Sequence, residues 1–242
     1  YGLYRPLPRA AVALQWLLTR TGAAATSHFE AGAFLRSRPD VEHPDLQYHF
    51  MPVCLPDHRT NAPREHGYQC LVAVSRPKAR GTLRLRTTDP ADPPAIDPNY
   101  MSEPEDWTVM RAGITLAREF FAQDAFDPFR GPERLPGKTV RSSEDVDAFI
   151  RANAVTGHHA SGTCRMGTDP DTVVDPQCRV HGLDGLRVVD ASVMPSITTG
   201  NTNAPTIMIA EKASDMIRGN RLPGLPEEGP ERHPHPFNRP LQ

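Results

Sequence analysis

The residues of this chain best suited to chemistry lie in one short stretch, His158-His159-Ala160-Ser161-Gly162-Thr163-Cys164-Arg165-Met166-Gly167. Two adjacent imidazoles beside glycine and small hydroxyl residues suit a general base in a close-packed pocket, because histidine ordinarily titrates near neutral pH. The same residue types also suit surface histidines, or histidines hydrogen-bonded within a core, and their spacing leaves both readings open. A metal role fits less well. The chain has no HExxH pattern, and side chains at i and i+1 point apart in extended chain. Cys54, Cys70, Cys164 and Cys178 form no CxxC pair, so neither a zinc site nor a redox dithiol is expected, and their number and spacing do not make a disulfide scaffold.

A second candidate follows about twenty residues later. Residues 186–190, Leu-Arg-Val-Val-Asp, read as a short buried-type strand ending at Asp190, and residues 191–203 as a loop carrying Pro195, Gly200, Asn201 and Asn203. A helix then runs through Ile207, Ala210, Ser214 and Ile217 and stops at Gly219 after Arg218. Asn203 suits the N-cap of that helix, with Pro205 tolerated in its opening turn. A strand whose end feeds a loop and a helix N-terminus describes a cofactor site in an α/β sheet. The free N–H groups there hold anionic ligand atoms, or an oxygen on which charge develops. Many α/β folds contain such a unit, and Asp190 reads equally as a turn residue satisfying local backbone N–H groups.

The elements that must position these residues are legible in outline. Residues 10–18 are strongly apolar and predict a short helix starting near Pro8, and residues 22–25, Gly-Ala-Ala-Ala, break it. Residues 46–53 alternate in part and predict a strand ending near Pro52. Residues 68–75 and 81–87 are stronger strand candidates, the latter with Leu83 and Leu85 alternating with Arg84 and Arg86 as in a sheet with one wet face. Residues 89–99 are rich in Pro and Asp and predict a loop. Trp107, Met110, Ile114, Ala117 and Phe121 recur at helical spacing across residues 105–123. A shorter helix over residues 144–151 is capped by Ser142 or Ser143, with acids in its first turn suiting the positive end of the dipole. From Leu222 the chain is dominated by Pro, Glu and His and reads as a disordered or surface-wrapping tail.

The chain is long enough, at 242 residues, to bury one large core or two modest ones. Its 27 basic and 29 acidic residues leave a formal charge of -2, so no global field points to nucleic acid or an anionic membrane. No stretch has the run of about 18 apolar residues that a membrane span requires.

Taken together, residues 157–167, Val188-Val189-Asp190-Ala191-Ser192-Val193-Met194-Pro195 and Gly200-Asn201-Thr202-Asn203-Ala204-Pro205-Thr206-Ile207-Met208-Ile209-Ala210-Glu211-Lys212 resemble the C-terminal signature of the glucose–methanol–choline oxidoreductases. His28-Phe29-Glu30-Ala31-Gly32, residues 80–86 and Ile96-Asp97-Pro98-Asn99-Tyr100 extend the resemblance, which runs from Leu14 to Gly219 and is strongest to members that oxidise choline. It implies an α+β to α/β fold: an antiparallel-sheet substrate-binding domain over residues 1–155, and residues 156–219 supplying the closing strand–loop–helix of an FAD-binding domain. A Pro-rich tail over 220–242 would follow. Family members open with a Gly-rich dinucleotide-binding unit, and no GxGxxG occurs here. The expectation is therefore a truncated chain that does not hold FAD tightly alone.

The resemblance also implies roles. Its catalytic histidine falls on His159, with Ala160 where proline is usual and His158 where choline-oxidising members commonly have tyrosine. Its second active-site position is placed on Asn203, which would orient the alcohol beside His159. Asp190, Ala191, Asn203, Ala204, Pro205 and Thr206 become FAD contacts. His158 and Glu30 become substrate-binding residues, with Glu30 as counter-charge to a quaternary ammonium, although an edge-strand or salt-bridged surface acid remains open for it. The implied reaction is oxidation of choline by hydride transfer to flavin N5, with electrons passed to a quinone-type acceptor, at the mitochondrial inner membrane or its bacterial equivalent. Oxidation of another primary or polyol alcohol, or a non-catalytic fragment that keeps the fold, are the other readings. No metal and no nucleic-acid partner are expected.

Overall fold

The computed structural model describes residues 6–27, 29–54 and 67–220. Helix α1 (Pro6–Thr19) holds both Pro6 and Pro8 in its first turn, where a missing N–H costs no intrahelical bond. Strands β1 (Ala31–Leu35), β2 (Leu46–Met51) and β3 (Gln69–Val74) form an antiparallel sheet with β2 in the centre. The register pairs Gly32 with His49 and His49 with Leu71, then Phe34 with Gln47 and Gln47 with Ala73. Alternation therefore gives the sheet two unlike faces. One carries Ala33, Leu46, Tyr48, Cys70, Val72 and Val74, and it packs on a helix. The other carries Gly32, Phe34, Gln47, His49 and Leu71.

The helix against the apolar face is α2 (Pro104–Phe121), following a two-stranded ribbon of β4 (Thr82–Arg84) and β5 (Ala95–Asp97). Its predicted stripe divides between neighbours. Val109, Leu116 and Ala117 meet the sheet, whereas Ile114, Trp107 and Met110 meet α3 (Ser143–Asn153) through Val146 and Ile150. Close approach to the sheet depends on Gly113: a Cβ there would lie 2.7 Å from Val72 and 2.9 Å from Leu46. Tyr48 donates its hydroxyl to the Gly113 carbonyl at 2.9 Å across the same contact. Phe121 joins Phe50, Tyr68 and Phe126 in an aromatic cluster at the end of α2. Ser142 caps α3 by a capping box with Asp145, whose carboxylate is held below its usual range by the N–H groups of Arg141 and Ser142.

The segment beyond α3 is mostly irregular up to α4 (Asn203–Arg218), which Gly219 ends at φ 72. Its own small core joins Val174, Cys178, Val193 and Ala213, with Met166, Val188, Val189 and Ile209 packed around them. Single backbone bonds shape it: Cys164 N–H to Ser192 O, Met166 N–H to Val193 O and Gly167 N–H to Val174 O.

Four expectations are corrected. Residues 89–99 contain a strand, β5, because Ala95–Asp97 finds the edge of β4. The strand read over 81–87 shortens to β4, Thr82–Arg84, and the alternation does not produce a dry face: Leu83 is 49% exposed and Leu85, beyond the strand, 82%. Residues 186–190 do not form a strand; they make an isolated bridge from Arg187 to Arg179, with Val188 N–H on Cys178 O, and Val188 and Val189 pack on the small core. Asn203 is not the N-cap of α4. It is already the first helical residue, and Thr202 takes the flanking position without a side-chain capping bond. The tail from Leu222, and His28 of the His28–Gly32 stretch, lie outside the described residues.

Candidate active site

His159 lies half-buried on an irregular strand of chain that runs across the second face of the sheet. Both ring nitrogens are engaged from the loop that enters α4. Nδ1 is 2.9 Å from Thr202 Oγ1, and Nε2 is 2.8 Å from Asn201 Nδ2. A third contact, from the Thr202 backbone N–H to Nδ1, is longer at 3.4 Å. An amide nitrogen only donates, so Asn201 meets Nε2 as a lone pair, and the ring proton of the neutral imidazole belongs on Nδ1, shared with the Thr202 hydroxyl. The Asn201 contact selects that tautomer, and the Thr202 hydroxyl, able to donate or accept, fits it. The opposite tautomer would satisfy both Thr202 contacts at Nδ1 but would set two donors against each other at 2.8 Å between Nε2 and Asn201 Nδ2.

The sheet reaches this group through β2. Gln47, only 8% exposed, directs its Nε2 at Asn201 Oδ1 at 2.8 Å. One pleat further along the same face stands His49, whose titration is lowered first by burial and then by the charge of His159. Phe29 meets the His49 ring edge-on at 5.5 Å between centroids, and the half-exposed Phe34 ring lies against Gly200. The wall beside His159 is therefore aromatic and largely uncharged. Glu30 is exposed and donates its backbone N–H to Phe50 O, two residues before Gly32, so alternation puts it on the same sheet face as His49.

Other sequence-derived candidates fall in varied places. His158 is exposed and has φ 58, in the left-handed region, with its N–H on Thr156 Oγ1. Asp190 accepts the Ser192 N–H at 2.7 Å on one carboxylate oxygen and is otherwise exposed, so the turn role read from sequence is present. Ala191 starts a single 3₁₀ turn over Ala191–Val193. Asn203 and Ala204 expose the first turn of α4, which contains no acid, while Pro205 and Thr206 are half-buried and the Thr206 N–H returns to Thr202 O. Asn203 makes no side-chain hydrogen bond to His159; the carboxamide brought there is Asn201, two residues earlier. Asn201, Thr202, Gln47 and His49 were given no role by the sequence. Asn201, Thr202 and Asn203 all suit a helix entrance, and only contact with His159 separates them.

His159 thus stands on an irregular segment beside the entrance to α4 and in reach of the sheet, an arrangement suited to a general base. The chain belongs to the GMC oxidoreductase family: the C-terminal domain of that family matches residues 77–210, which include His159, Asp190 and Asn201. It is 52% identical over 209 residues to the oxygen-dependent choline dehydrogenase of Paraburkholderia phymatum, covering 86% of this chain and 36% of that protein. To the mitochondrial choline dehydrogenase of Mus musculus it is 49% identical over 218 residues, covering 89% of this chain and 37% of that one. Among solved structures, pyridoxine 4-oxidase from Mesorbium loti has a TM-score of 0.74 at 32% identity, covering 81% of this chain and 39% of its own. The chain thus spans little more than a third of the curated relatives it matches.

Proposed function

We propose that this chain is the C-terminal part of an FAD-dependent alcohol dehydrogenase that oxidises choline to betaine aldehyde, with residues 1–155 as substrate-binding region and 156–219 completing the cofactor side. The observation that carries the reading is the His159 imidazole, whose Nε2 lone pair is matched by a single amide donor, Asn201. An alcohol hydroxyl that displaces the Asn201 N–H from Nε2 donates to Nε2 and accepts from Asn201 Nδ2. As the proton passes to Nε2, the amide stabilises the charge growing on oxygen, and Nδ1–H keeps its hold on Thr202. The aromatic wall of Phe29, His49 and Phe34 suits a cation without N–H groups, with Glu30 at the same face as counter-charge.

The residues expected to hold the cofactor suit it chemically. The acid-free, exposed N–H groups of Asn203 and Ala204 at the start of α4 fit the electron-rich pyrimidine edge of an isoalloxazine, and the outward oxygen of Asp190 fits a sugar hydroxyl. Ala191, Pro205 and Thr206 line the same surface. When bound, FAD supplies the hydride acceptor.

Electrons then pass to a quinone-type acceptor, with peripheral association at the mitochondrial inner membrane or the bacterial membrane; the name of the Mus relative supports the location. Oxygen is the second reading for the acceptor, favoured by the name of the Paraburkholderia relative. Among the described residues no helix is long and apolar enough to cross a membrane.

The test uses the full-length, flavin-loaded protein under anaerobic conditions. Choline should bleach the oxidised flavin, and Glu30→Gln should raise KM for choline at least about tenfold while leaving an uncharged alcohol of similar size unchanged, since only the cation loses a partner. No bleaching by choline, with bleaching by a neutral alcohol, would assign another substrate; equal effects on both would make Glu30 structural.

A further inference from the structure

Gln47 makes no hydrogen bond to His159, yet among the described residues of the sheet it is the side chain bonded to Asn201. Its burial is notable because it sits on the face of β2 opposite Leu46 and Tyr48, and a buried carboxamide left without partners is destabilising. The partner it finds is Asn201 Oδ1 at 2.8 Å. In the orientation the structure shows, Gln47 Nε2 holds Asn201 Oδ1 toward the sheet and leaves Nδ2 toward the imidazole. With Oδ1 taken by the Gln47 N–H, Nδ2 is left for His159 Nε2 at 2.8 Å, and Nδ1 then gives its proton to Thr202 Oγ1 at 2.9 Å.

We infer that Gln47 is a positioning residue that acts through Asn201 to keep His159 Nε2 unprotonated and aimed at the substrate hydroxyl. The inference rests on the reading of His159 as the base. It makes a directional chain of three donors, from Gln47 Nε2 to Asn201, from Asn201 Nδ2 to His159 and from His159 Nδ1 to Thr202, in which reversing the first bond reverses the rest. Rotating the Asn201 amide would present Oδ1 to Nε2. The imidazole would then have to carry its proton on Nε2 to satisfy the contact, and the lone pair that accepts the alcohol proton would be lost. The link also ties the sheet to the loop before α4, since residues 47 and 201 belong to elements otherwise far apart in the chain. The titratable groups around the chain of bonds are His49 on β2, Glu30 before β1 and the adjacent His158; none of them bonds to Gln47 or Asn201.

The experiment is anaerobic flavin reduction by choline in the full-length holoenzyme, with FAD content measured for every variant. Gln47→Met keeps the volume and removes the donor. It should slow reduction at saturating choline about 10- to 100-fold, the scale of misplacing a catalytic group, with KM and FAD content near wild type. In an Asn201→Ala background the same substitution should cost nothing further, because its effect runs through that residue. Gln47→Glu keeps the shape but replaces the donor by an acceptor. It should shift the acidic limb of the rate profile upward by about one pH unit, as the imidazole gains a reason to stay protonated; Gln47→Met should not shift it. Wild-type rates in Gln47→Met, or losses that multiply with Asn201→Ala, would overturn the inference. If Gln47→Met proves too unstable, an unshifted profile in Gln47→Glu overturns it alone. His159→Ala run alongside separates the two readings: if that variant keeps its rate, the base assignment fails; if it loses rate while the Gln47 variants do not, only the role of Gln47 fails.

Discussion

Residues 31–153 and residues 156–202 are built by opposite means. The first region closes ladders of backbone bonds between β1, β2 and β3 and packs two apolar clusters around α2. The second has isolated bridges, one small core around Val174 and Val193, and backbone bonds formed singly between distant residues. Yet the candidate chemistry stands in the second region, where regular structure is scarcest. The difference teaches how the work is divided: the sheet supplies a fixed wall and the anchor Gln47, and the irregular segment is free to bend His159, Asn201 and Thr202 around one point. Such an arrangement predicts that the two regions fail differently when altered.

The largest contrast lies within the loop before α4. Asn201→Ala in the full-length enzyme should lower flavin reduction about 10²- to 10³-fold, the cost of removing one donor to developing negative charge, with little change in thermal midpoint. Asn203→Ala, at an exposed first-turn position, should change the rate by no more than about threefold. Stopped-flow measurements on the two variants decide it, and a ranking with Asn203 as the more damaging would restore the position read from sequence.

In the sheet the effect should fall on stability instead. Leu46 is fully buried between Tyr48 and Val109, so Leu46→Ala should cost about 3 kcal/mol, seen as a lower denaturant midpoint. The rate per folded molecule should hold close to wild type, because Leu46 points away from the site face. A strong loss of rate with an unchanged midpoint would show that the two faces of β2 are not separate in function.

The pattern of what sequence made legible follows the same division. The strands at 46–53 and 68–75, the stripe of α2, the Ser142 cap and the Gly219 stop all rest on local rules, and each has its counterpart in the structure. β1 and β5 were missed because Ala-Gly-Ala-Phe-Leu and Ala-Ile-Asp are strands only by virtue of a neighbouring edge. Among candidate site residues, His159 stands at the centre of the polar contacts, its placement having come from motif resemblance. Asn201 was passed over for Asn203 because the choice depends on a contact 42 residues away in sequence, which no helix-cap preference contains. Gln47 and His49 were unreadable for a similar reason: alternation puts them on one face, but nothing local says that a loop covers it.

The central claim is that His159, and not its neighbour, takes the alcohol proton. It is tested most directly by anaerobic stopped-flow reduction of the full-length, FAD-loaded enzyme at saturating choline, comparing His159→Ala with His158→Ala. Bleaching of the flavin should slow about 10²- to 10⁴-fold in His159→Ala, the usual worth of a positioned general base, with flavin content retained and part of the rate recovered at alkaline pH. His158→Ala should affect mainly KM, its exposed side chain lying outside the bonds that hold the base. A His159→Ala enzyme that kept its FAD and was reduced at near wild-type rate would contradict the account, and the reverse ranking of the two variants would move the base to His158.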